Sequence, residues 1–426
     1  MSPRAARPAP LAWLMWGLPS ALFYFAFMHR VAPGVMAREL MQSFEATGTL
    51  VGLLSATYFY GYAGLMIPAG LLVDGFGVRR VVAAGGAVMA LGTLAMATAT
   101  GLPALFAGRL AIGLGATVTF IGAMKAAAVW FPPSRFGTMS AVTATVGILG
   151  SFTAPLAAAI ALLGWRGTLV LVGAISLVCS ALCLWLVRDR PDDARQERPP
   201  ALGAVLLGAR AVLANPHTWP PFLAFFFLYS AMGNLMVWGV PFLRDVHGLS
   251  LTRAALWTSL TPAAMLVAAP LTGYLSDRVL RRRKLPYTVL ALAQLGLWLI
   301  LTRGAGTLSL PALGVLLFAM GIGGSAFVLT WPIGREVNPP HLAGVAVAVT
   351  NLGGFLGAAL TQGPFGVILD RAWRGQMVGG ARAYPVEAYQ DGFWICAACV
   401  AGAVVMSLLM RETRGENVFA RPARAR

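Results

Sequence analysis

Charged residues are scarce in this chain, and one kind of cation is nearly absent. Of 426 residues only 11% are charged, only 15 are acidic, and 58% are hydrophobic. Lysine occurs only as Lys125 and Lys284, among 32 basic residues. A soluble core of this size cannot hide so much apolar surface. The composition therefore excludes a soluble globular protein and indicates lipid as the main solvent.

Several patterns with a chemical meaning are also missing. The chain has no series of short alternating segments of the kind that builds a membrane β-barrel. Cys396 and Cys399 have metal-site spacing but no further ligands nearby, so small apolar packing is the better interpretation. We find no catalytic triad and no nucleotide loop that follows a strand. The sequence predicts neither an enzyme nor a bound cofactor.

What the chain does have is a set of long apolar stretches. A helix needs ~20 apolar residues to cross the ~30 Å hydrocarbon layer of a bilayer. We therefore predict an all-α membrane protein with twelve spans. They lie near residues 11–38, 48–72, 80–99, 102–130, 136–163, 166–187, 218–243, 252–275, 286–302, 308–333, 343–369 and 392–410.

The longest polar interruption divides the spans six and six. We predict a first six-helix bundle at 1–188, a linker at 189–217 and a second bundle with a tail at 218–426. Within the linker, "ALGAVLLGARAVLA" (201–214) has apolar residues at helical spacing, which favours a short helix on the membrane surface.

Basic residues set the predicted orientation. The net charge is +17, and the basic clusters at 188–198, 278–284 and 421–426 all fall on one side of the membrane. By the positive-inside rule both termini should be cytoplasmic. The charge thus indicates topology rather than nucleic-acid binding. The uncleaved first span suits a multi-pass protein of a bacterial inner membrane, and we expect a monomer.

Two pairs of segments repeat between the halves. "GLLVDGFGVRR" (70–80) follows the second span, and "GYLSDRVLRRR" (273–283) follows the eighth. "VWFPPSRFGTMSAVTATVGILG" (129–150) likewise parallels "VNPPHLAGVAVAVTNLGGFLG" (337–357). Internal duplication of this kind is typical of transporters built from two bundles around a central site.

With its twelve spans, 6+6 division and repeated loop, the chain resembles the major facilitator superfamily. That resemblance implies two bundles related by a pseudo-two-fold axis, spans 1, 4, 7 and 10 lining a cavity, and loops that latch the cytoplasmic side. We expected the charges of these loops to pair across the bundle interface. The matching loop residues are Gly70, Asp74, Gly77, Arg79 and Arg80 in the first half, and Asp277 and Arg282 in the second.

Three basic residues are predicted to lie within the membrane, away from the span ends. A buried charge costs at least ~2.5–3.5 kcal/mol in a membrane, so each is a functional hypothesis. Arg30 lies in span 1 and has no acidic neighbour within its own turn. Arg109 and Lys125 both lie on span 4, about 24 Å apart at 1.5 Å per residue. Arg109 could be structural or a ligand, and Lys125 could line the cavity or reach the cytoplasmic interface.

The segments "HRVAPGVMAREL" and "KAAAVWFPPSR" are similar to those of anion:cation symporters and organophosphate carriers. The resemblance implies that Arg30, Arg109 and Lys125 bind an anionic substrate. Without buried carboxylates nearby, these cations would need an anion as partner. The chain departs from the proton-coupled pattern, because His29 and Ala116 stand where acids are usual. Coupling through His29, a protonated substrate and anion exchange all remain open.

Polar and aromatic residues within other spans complete the predicted cavity. Each could also be helix packing or an interfacial belt. The two amides rank higher than the rings, because a buried amide must find a partner. The candidates are Tyr24, Tyr58, Tyr62, Asn234, Trp238, Trp331 and Asn351.

The function predicted from these features is secondary active transport of a small organic anion, of carboxylate type, by alternating access. Two alternatives remain at this stage. One is an exporter of drugs or siderophore-like metabolites, although "GILGSFTAPLAAAI" (147–160) has only part of the exporter pattern in span 5. The other is a transporter-shaped sensor that signals to a partner.

Overall fold

The structure, a computed structural model, describes residues 9–132, 135–190 and 202–419. Nearly all of them are helical. Some segments named above lie outside the described residues: the first eight residues, Pro133, most of the basic cluster at 188–198 and the basic tail at 421–426.

Fifteen α-helices and one small hairpin make up the described regular structure, apart from short 3₁₀ and π turns. The α-helices are Ala9–Val35, Ala37–Phe44, Gly48–Thr98, Leu102–Trp130, Phe136–Gly150, Thr153–Leu186, Leu202–Ala214, Trp219–Asp245, Leu251–Thr258, Leu260–Tyr274, Lys284–Gly304, Leu310–Gly324, Thr330–Glu336, Ala343–Arg371 and Val386–Leu409. The antiparallel hairpin pairs Met377–Val378 with Ala381–Arg382.

Ten continuous helical segments of the described chain are long and apolar enough to cross a membrane, and two of these hold two spans each. Each of the two has 51 residues, or about 76 Å of helix, more than twice the hydrocarbon thickness. Gly77 (φ 85°) and Gly164 (φ 69°) break them with backbone angles that only glycine adopts readily. The predicted twelve spans are therefore confirmed, and we number them 1 to 12 in chain order.

Large apolar side chains cover the outside of the molecule. Leu162, Trp185 and Val315 are 83%, 74% and 72% exposed, in three different spans. Such an apolar surface is typical of helices that face lipid tails. The linker contains the helix Leu202–Ala214, but the predicted domain boundaries around 189–217 stay predictions.

The two halves of the chain meet closely on one face of the molecule. We call the face on which span 1 begins the N-terminal face and the opposite one the far face. Near the far face, a Cβ on Gly52 of span 2 would lie 2.2 Å from the Gln362 carbonyl oxygen of span 11, and one on Gly366 would lie 2.2 Å from that of Gly48. The absence of side chains lets the two backbones touch.

Asp370 closes this contact with hydrogen bonds. Its carboxylate, at the end of span 11, accepts from the Gly48 and Thr49 amides at 2.9 and 2.7 Å and from the Thr49 hydroxyl at 2.6 Å. Tyr384 also donates to it at 2.8 Å. Burial, together with the Asp370 carboxylate, raises the pKa of Tyr384, so its hydroxyl stays protonated and keeps donating.

Two ion pairs join the halves on the same face. Arg38 pairs with Asp245 at 2.5 Å, and Arg244 pairs with Glu39 at 3.2 Å. These partners lie about 200 residues apart in sequence, next to the ends of spans 1 and 7. The far face is therefore closed by charge pairs as well as by backbone contact.

Candidate functional site

The Arg30 guanidinium lies at the contact between the two halves, inside a cage of aromatic rings. Its carbon is 3.8 Å from the Phe27 ring centre, 5.2 Å from that of Tyr62 and 5.0 Å from that of Phe355. Arg30 is 3% exposed, and its Nε donates to the Tyr58 hydroxyl at 3.4 Å. Ring faces stabilise a cation but do not neutralise its charge.

Span 7 contributes a contact that the sequence did not point to. The Arg30 Nη1 donates to the Tyr229 hydroxyl at 3.3 Å, across the interface between the halves. The Tyr229 ring packs edge-on against Phe355, which is also absent from the predicted set. A signal for Tyr229 was available, because it lies only five residues before Asn234 on a span expected to line the cavity.

Arg109 lies behind Tyr58, within the first bundle. Its Nη1 donates to the His29 carbonyl at 2.8 Å, and its Nε donates to the Leu54 carbonyl at 3.2 Å. Its carbon is 5.0 Å from the centre of the Tyr58 ring. Arg109 thus holds spans 1 and 2 together from span 4, and it fixes the backbone next to Arg30.

His29 faces away from Arg30. Its ring is buried and its Nε2 lies 3.1 Å from the Thr93 hydroxyl of span 3, inside the first bundle. Adjacent residues on a helix differ by about 100° in direction, so His29 and Arg30 point to different neighbours. The structure does not bring the predicted His29 side chain to the Arg30 cage.

Lys125 has an acidic partner. Its ammonium forms an ion pair with Asp74 at the end of span 2 and also donates to the Val73 carbonyl. Our expectation that three membrane cations lack carboxylates is therefore wrong for Lys125. The two residues are 51 positions apart in sequence, which is why no helical spacing revealed the pair. Both side chains are partly exposed, at 26% and 46%.

The loop after span 2 binds within its own half. The Arg79 amide donates to the Asp189 carboxylate at 2.7 Å, and the Arg79 Nε donates to the Leu184 carbonyl at 2.5 Å. Asp189 also fills the space beside Gly77, where a Cβ would lie 2.4 Å from it. Gly70 has open space around it, and Arg80 is exposed. Asp74 and Arg79 thus do not show the expected pairing across the interface.

The matching loop of the second half behaves in the same way. Asp277 pairs with Arg283, which also binds the buried Glu336 at 3.2 Å. Arg282 is exposed, and its main chain bonds Ser276. Asp277 thus pairs within its own half, with Arg283, and does not show the expected pairing across the interface.

The remaining candidates are spread over the second half and span 1. Asn234 donates to the Thr361 hydroxyl at 3.1 Å, joining spans 7 and 11. Trp238 is fully buried and stacks on Phe365. Trp331 donates to Asn351 at 3.1 Å, away from the Arg30 cage. Tyr24 is half-buried on span 1, six residues before Arg30.

The site therefore contains two buried guanidinium groups on either side of Tyr58. Among the residues that the structure describes, the ion pairs include neither Arg30 nor Arg109. The Arg109 Nη2 has no hydrogen-bond partner in the described chain. A buried charge without a counterion is costly, so the arrangement is suited to an anion that arrives from outside.

Comparisons with known proteins place this geometry in context. A family model described as Major Facilitator Superfamily matches residues 19–362. The chain is 25% identical over 284 residues to a probable sulfoacetate transporter of Cupriavidus necator, covering 63% of this chain and 66% of that protein. It is 24% identical over 381 residues to the hexuronate transporter of Bacillus subtilis, covering 83% of this chain and 88% of that one.

Solved structures show the same architecture. The crystal structure of a bacterial homologue of the human lysosomal transporter Spinster, in an inward-facing and unoccupied conformation, superposes with a TM-score of 0.74. The match covers 98% of this chain and 100% of that one at 17% identity. At that identity the likeness shows the fold alone.

Proposed function

Because this chain belongs to the Major Facilitator Superfamily and is a membrane transporter, we propose that its cargo is a small organic anion. The observation that carries the proposal is Arg30: a buried cation, caged by aromatic rings, at the contact between the two halves. A carboxylate that enters the cage would replace the neutral phenol hydroxyls with a charged partner. Such charge-assisted bonds are about twice as strong as neutral ones.

Relatives of the chain support an anionic cargo. One is named for sulfoacetate and one for hexuronate, and both compounds are organic anions. Neither name points to drugs or siderophores, so the exporter alternative is not favoured. We propose a single carboxylate as the group that Arg30 binds.

The arrangement of contacts supports an inward-facing state. We propose that the N-terminal face is cytoplasmic, in a bacterial inner membrane, because the basic cluster at 278–284 follows span 8 on that face. The far face is then the outer one, and it is closed by Asp370 and the ion pairs of Arg38 and Arg244. Transport would open this face as the two bundles rock around Arg30. We propose that one chain forms the complete carrier.

Coupling is proposed to involve a proton or an exchanged anion. His29 binds Thr93 within the first bundle and so lies away from the Arg30 cage. Glu336, the acid nearest to mid-span, is held by Arg283 near the N-terminal face. Both placements favour a coupling charge that travels with the substrate or with a counter-anion.

Uptake into proteoliposomes tests the proposed function. Glucuronate is the radiolabelled anion, and glucose and glycerol are neutral controls. Arg30→Gln should reduce anion uptake at least ~100-fold, because it removes a charged partner worth ~3 kcal/mol or more. Arg253→Gln is the matched control, since Arg253 is an exposed arginine on the far face. Undiminished anion uptake by the Arg30 variant contradicts the proposal.

A further inference from the structure

A cavity lies between the two halves, apart from the Arg30 cage. It is bordered by spans 1, 5, 7, 8, 9 and 10 and has a volume of about 50 Å³. One water needs ~10–15 Å³, so the cavity has room for three to five groups of that size. No residue of the set predicted from sequence borders it.

Two polar groups on span 9 border this cavity without partners. The Gln294 Oε1 and the Trp298 Nε1 have no hydrogen bond within the described chain, and both side chains are buried to at least 99%. They lie four residues apart, on one face of the helix. Gly323 of span 10 makes room for the amide, since a Cβ there would lie 2.4 Å from the Gln294 Oε1. Unpartnered buried groups of this kind call for a ligand or water.

The cavity lies beside the Arg30 cage along spans 1 and 7. Val31, next to Arg30, forms part of its wall, and so do Met232 and Met236. These methionines follow Tyr229 by three and seven residues, on the same helix face, about 4.5 and 10.5 Å along the axis. The cavity therefore begins about one turn beyond the hydroxyl that binds Arg30. An extended chain of six carbons, with bonds of about 1.5 Å, covers a distance of that order.

The residues that border the cavity disfavour a charged group of a ligand there. Its fourteen bordering residues include no charged side chain, whereas Met232, Met236, Met265 and Met320 give it a flexible apolar surface. A second carboxylate placed there would be desolvated without a counterion. A hydroxyl fits, because one hydroxyl both donates and accepts and can serve the Gln294 oxygen and the Trp298 N–H.

We propose that this cavity is a subsite for the uncharged, hydroxylated end of the transported anion, held by Gln294 and Trp298. The inference rests on the proposed function and narrows its substrate to hydroxylated monocarboxylates. Arg30 binds the carboxylate, and Gln294 and Trp298 of span 9 form hydrogen bonds with the hydroxylated end of the substrate. Substrates with anionic groups at both ends bind weakly, because only one end meets a cation.

Three six-carbon acids of matched length test the subsite. Gluconate has one carboxylate and hydroxyls, hexanoate has one carboxylate and no hydroxyl, and glucarate has a carboxylate at each end. Calorimetric titration of the purified full chain in detergent measures their binding. Gluconate should bind about tenfold or more tightly than the other two, since two hydrogen bonds to buried groups separate it from hexanoate.

Variants of span 9 separate this subsite from the anion site. Gln294→Leu and Trp298→Phe should each weaken gluconate binding several-fold and leave hexanoate binding unchanged. Trp185→Phe, on the lipid-facing surface, is the matched control, and the melting temperature of each unliganded variant checks its fold. Arg30→Gln should abolish binding of all three acids.

The outcomes distinguish the two proposals. Three results would overturn the subsite and indicate that the cavity holds ordered water only. They are equal affinities for gluconate and hexanoate, no binding of gluconate, or span 9 variants that change the affinities for both acids alike. In each of these cases Arg30-dependent uptake of another anion still supports the proposed function. Binding of the acids that is unaffected by Arg30→Gln contradicts the proposed function itself.

Discussion

The Arg30 Nη1 in span 1 donates a hydrogen bond of 3.3 Å to the Tyr229 hydroxyl in span 7. This bond joins the two halves at the level of the proposed anion site. An anion that binds Arg30 competes with it and changes a contact between the bundles. The Arg30 guanidinium can therefore bind the substrate and also take part in a contact between the two bundles, which move relative to each other during transport.

Removal of one hydroxyl tests this link. In Tyr229→Phe the ring still packs against Phe355, and only the bond to Arg30 is lost. We expect the KM for anion uptake to change about tenfold or more with little loss of stability, because one bond to a charged group is involved. Tyr60→Phe is the control, since Tyr60 is 46% exposed on the surface. Identical kinetics in both variants would show that the contact has no role in transport.

A charge exchange distinguishes the two interpretations of Lys125. The ion pair with Asp74 predicts that Lys125→Asp or Asp74→Lys alone reduces uptake, since each places like charges together. The double variant restores the pair and should recover much of the activity. The assay is initial-rate uptake at matched protein levels. If Lys125 instead binds the substrate, the double variant stays as inactive as Lys125→Asp.

Arg109 is expected to act as a clamp whose shape matters more than its charge. The lysine side chain in Arg109→Lys keeps the positive charge, but its single ammonium cannot donate to both the His29 and the Leu54 carbonyls as the guanidinium does. We expect a loss of about 2 kcal/mol of stability from the missing bond, seen as a lower melting temperature. The control is Arg253→Lys, which should melt as the unaltered protein does. An unchanged melting temperature in Arg109→Lys contradicts the clamp.

Asp370 should control the opening of the far face. Asp370→Ala removes three bonds to Gly48 and Thr49, each worth about 1 kcal/mol, and so favours the outward-open state. Opening is measured with a cysteine at the buried Gln362, in a chain without its four native cysteines. A membrane-impermeant thiol reagent added outside should label it at least about tenfold faster.

The control for this experiment is an acid on the same face. Glu387 at the start of span 12 pairs with the exposed Arg374, and its replacement by alanine should leave labelling unchanged. If Asp370→Ala labels at the rate of Glu387→Ala, the far face is not held closed by these bonds.

The spans and the importance of Arg30 could be predicted from the sequence, because both depend on local features. Hydrocarbon thickness fixes the length of an apolar run, and a basic residue inside such a run stands out. The Gly77 break also fits a local rule, since this glycine is one of the loop residues that match the superfamily.

Contacts between distant segments could not be predicted in the same way. Tyr229 and Phe355 meet Arg30 from spans far along the chain. Tyr229 is marked only by its position near Asn234 on span 7, and nothing in the neighbourhood of Phe355 marks that residue. Lys125 finds Asp74 because the end of span 2 packs beside span 4. His29 and Arg30 are neighbours in sequence but face different spans, and only the packing decides which one lines the site.

Binding of one anion and its neutral counterpart to two forms of the protein tests the central claim most directly. Calorimetric titration of glucuronate and glucose compares the unaltered chain with Arg30→Gln. The account predicts that glucuronate binds the unaltered chain, that glucose does not, and that the substitution abolishes glucuronate binding while the melting temperature is kept. Equal affinity of both chains for glucuronate would contradict it.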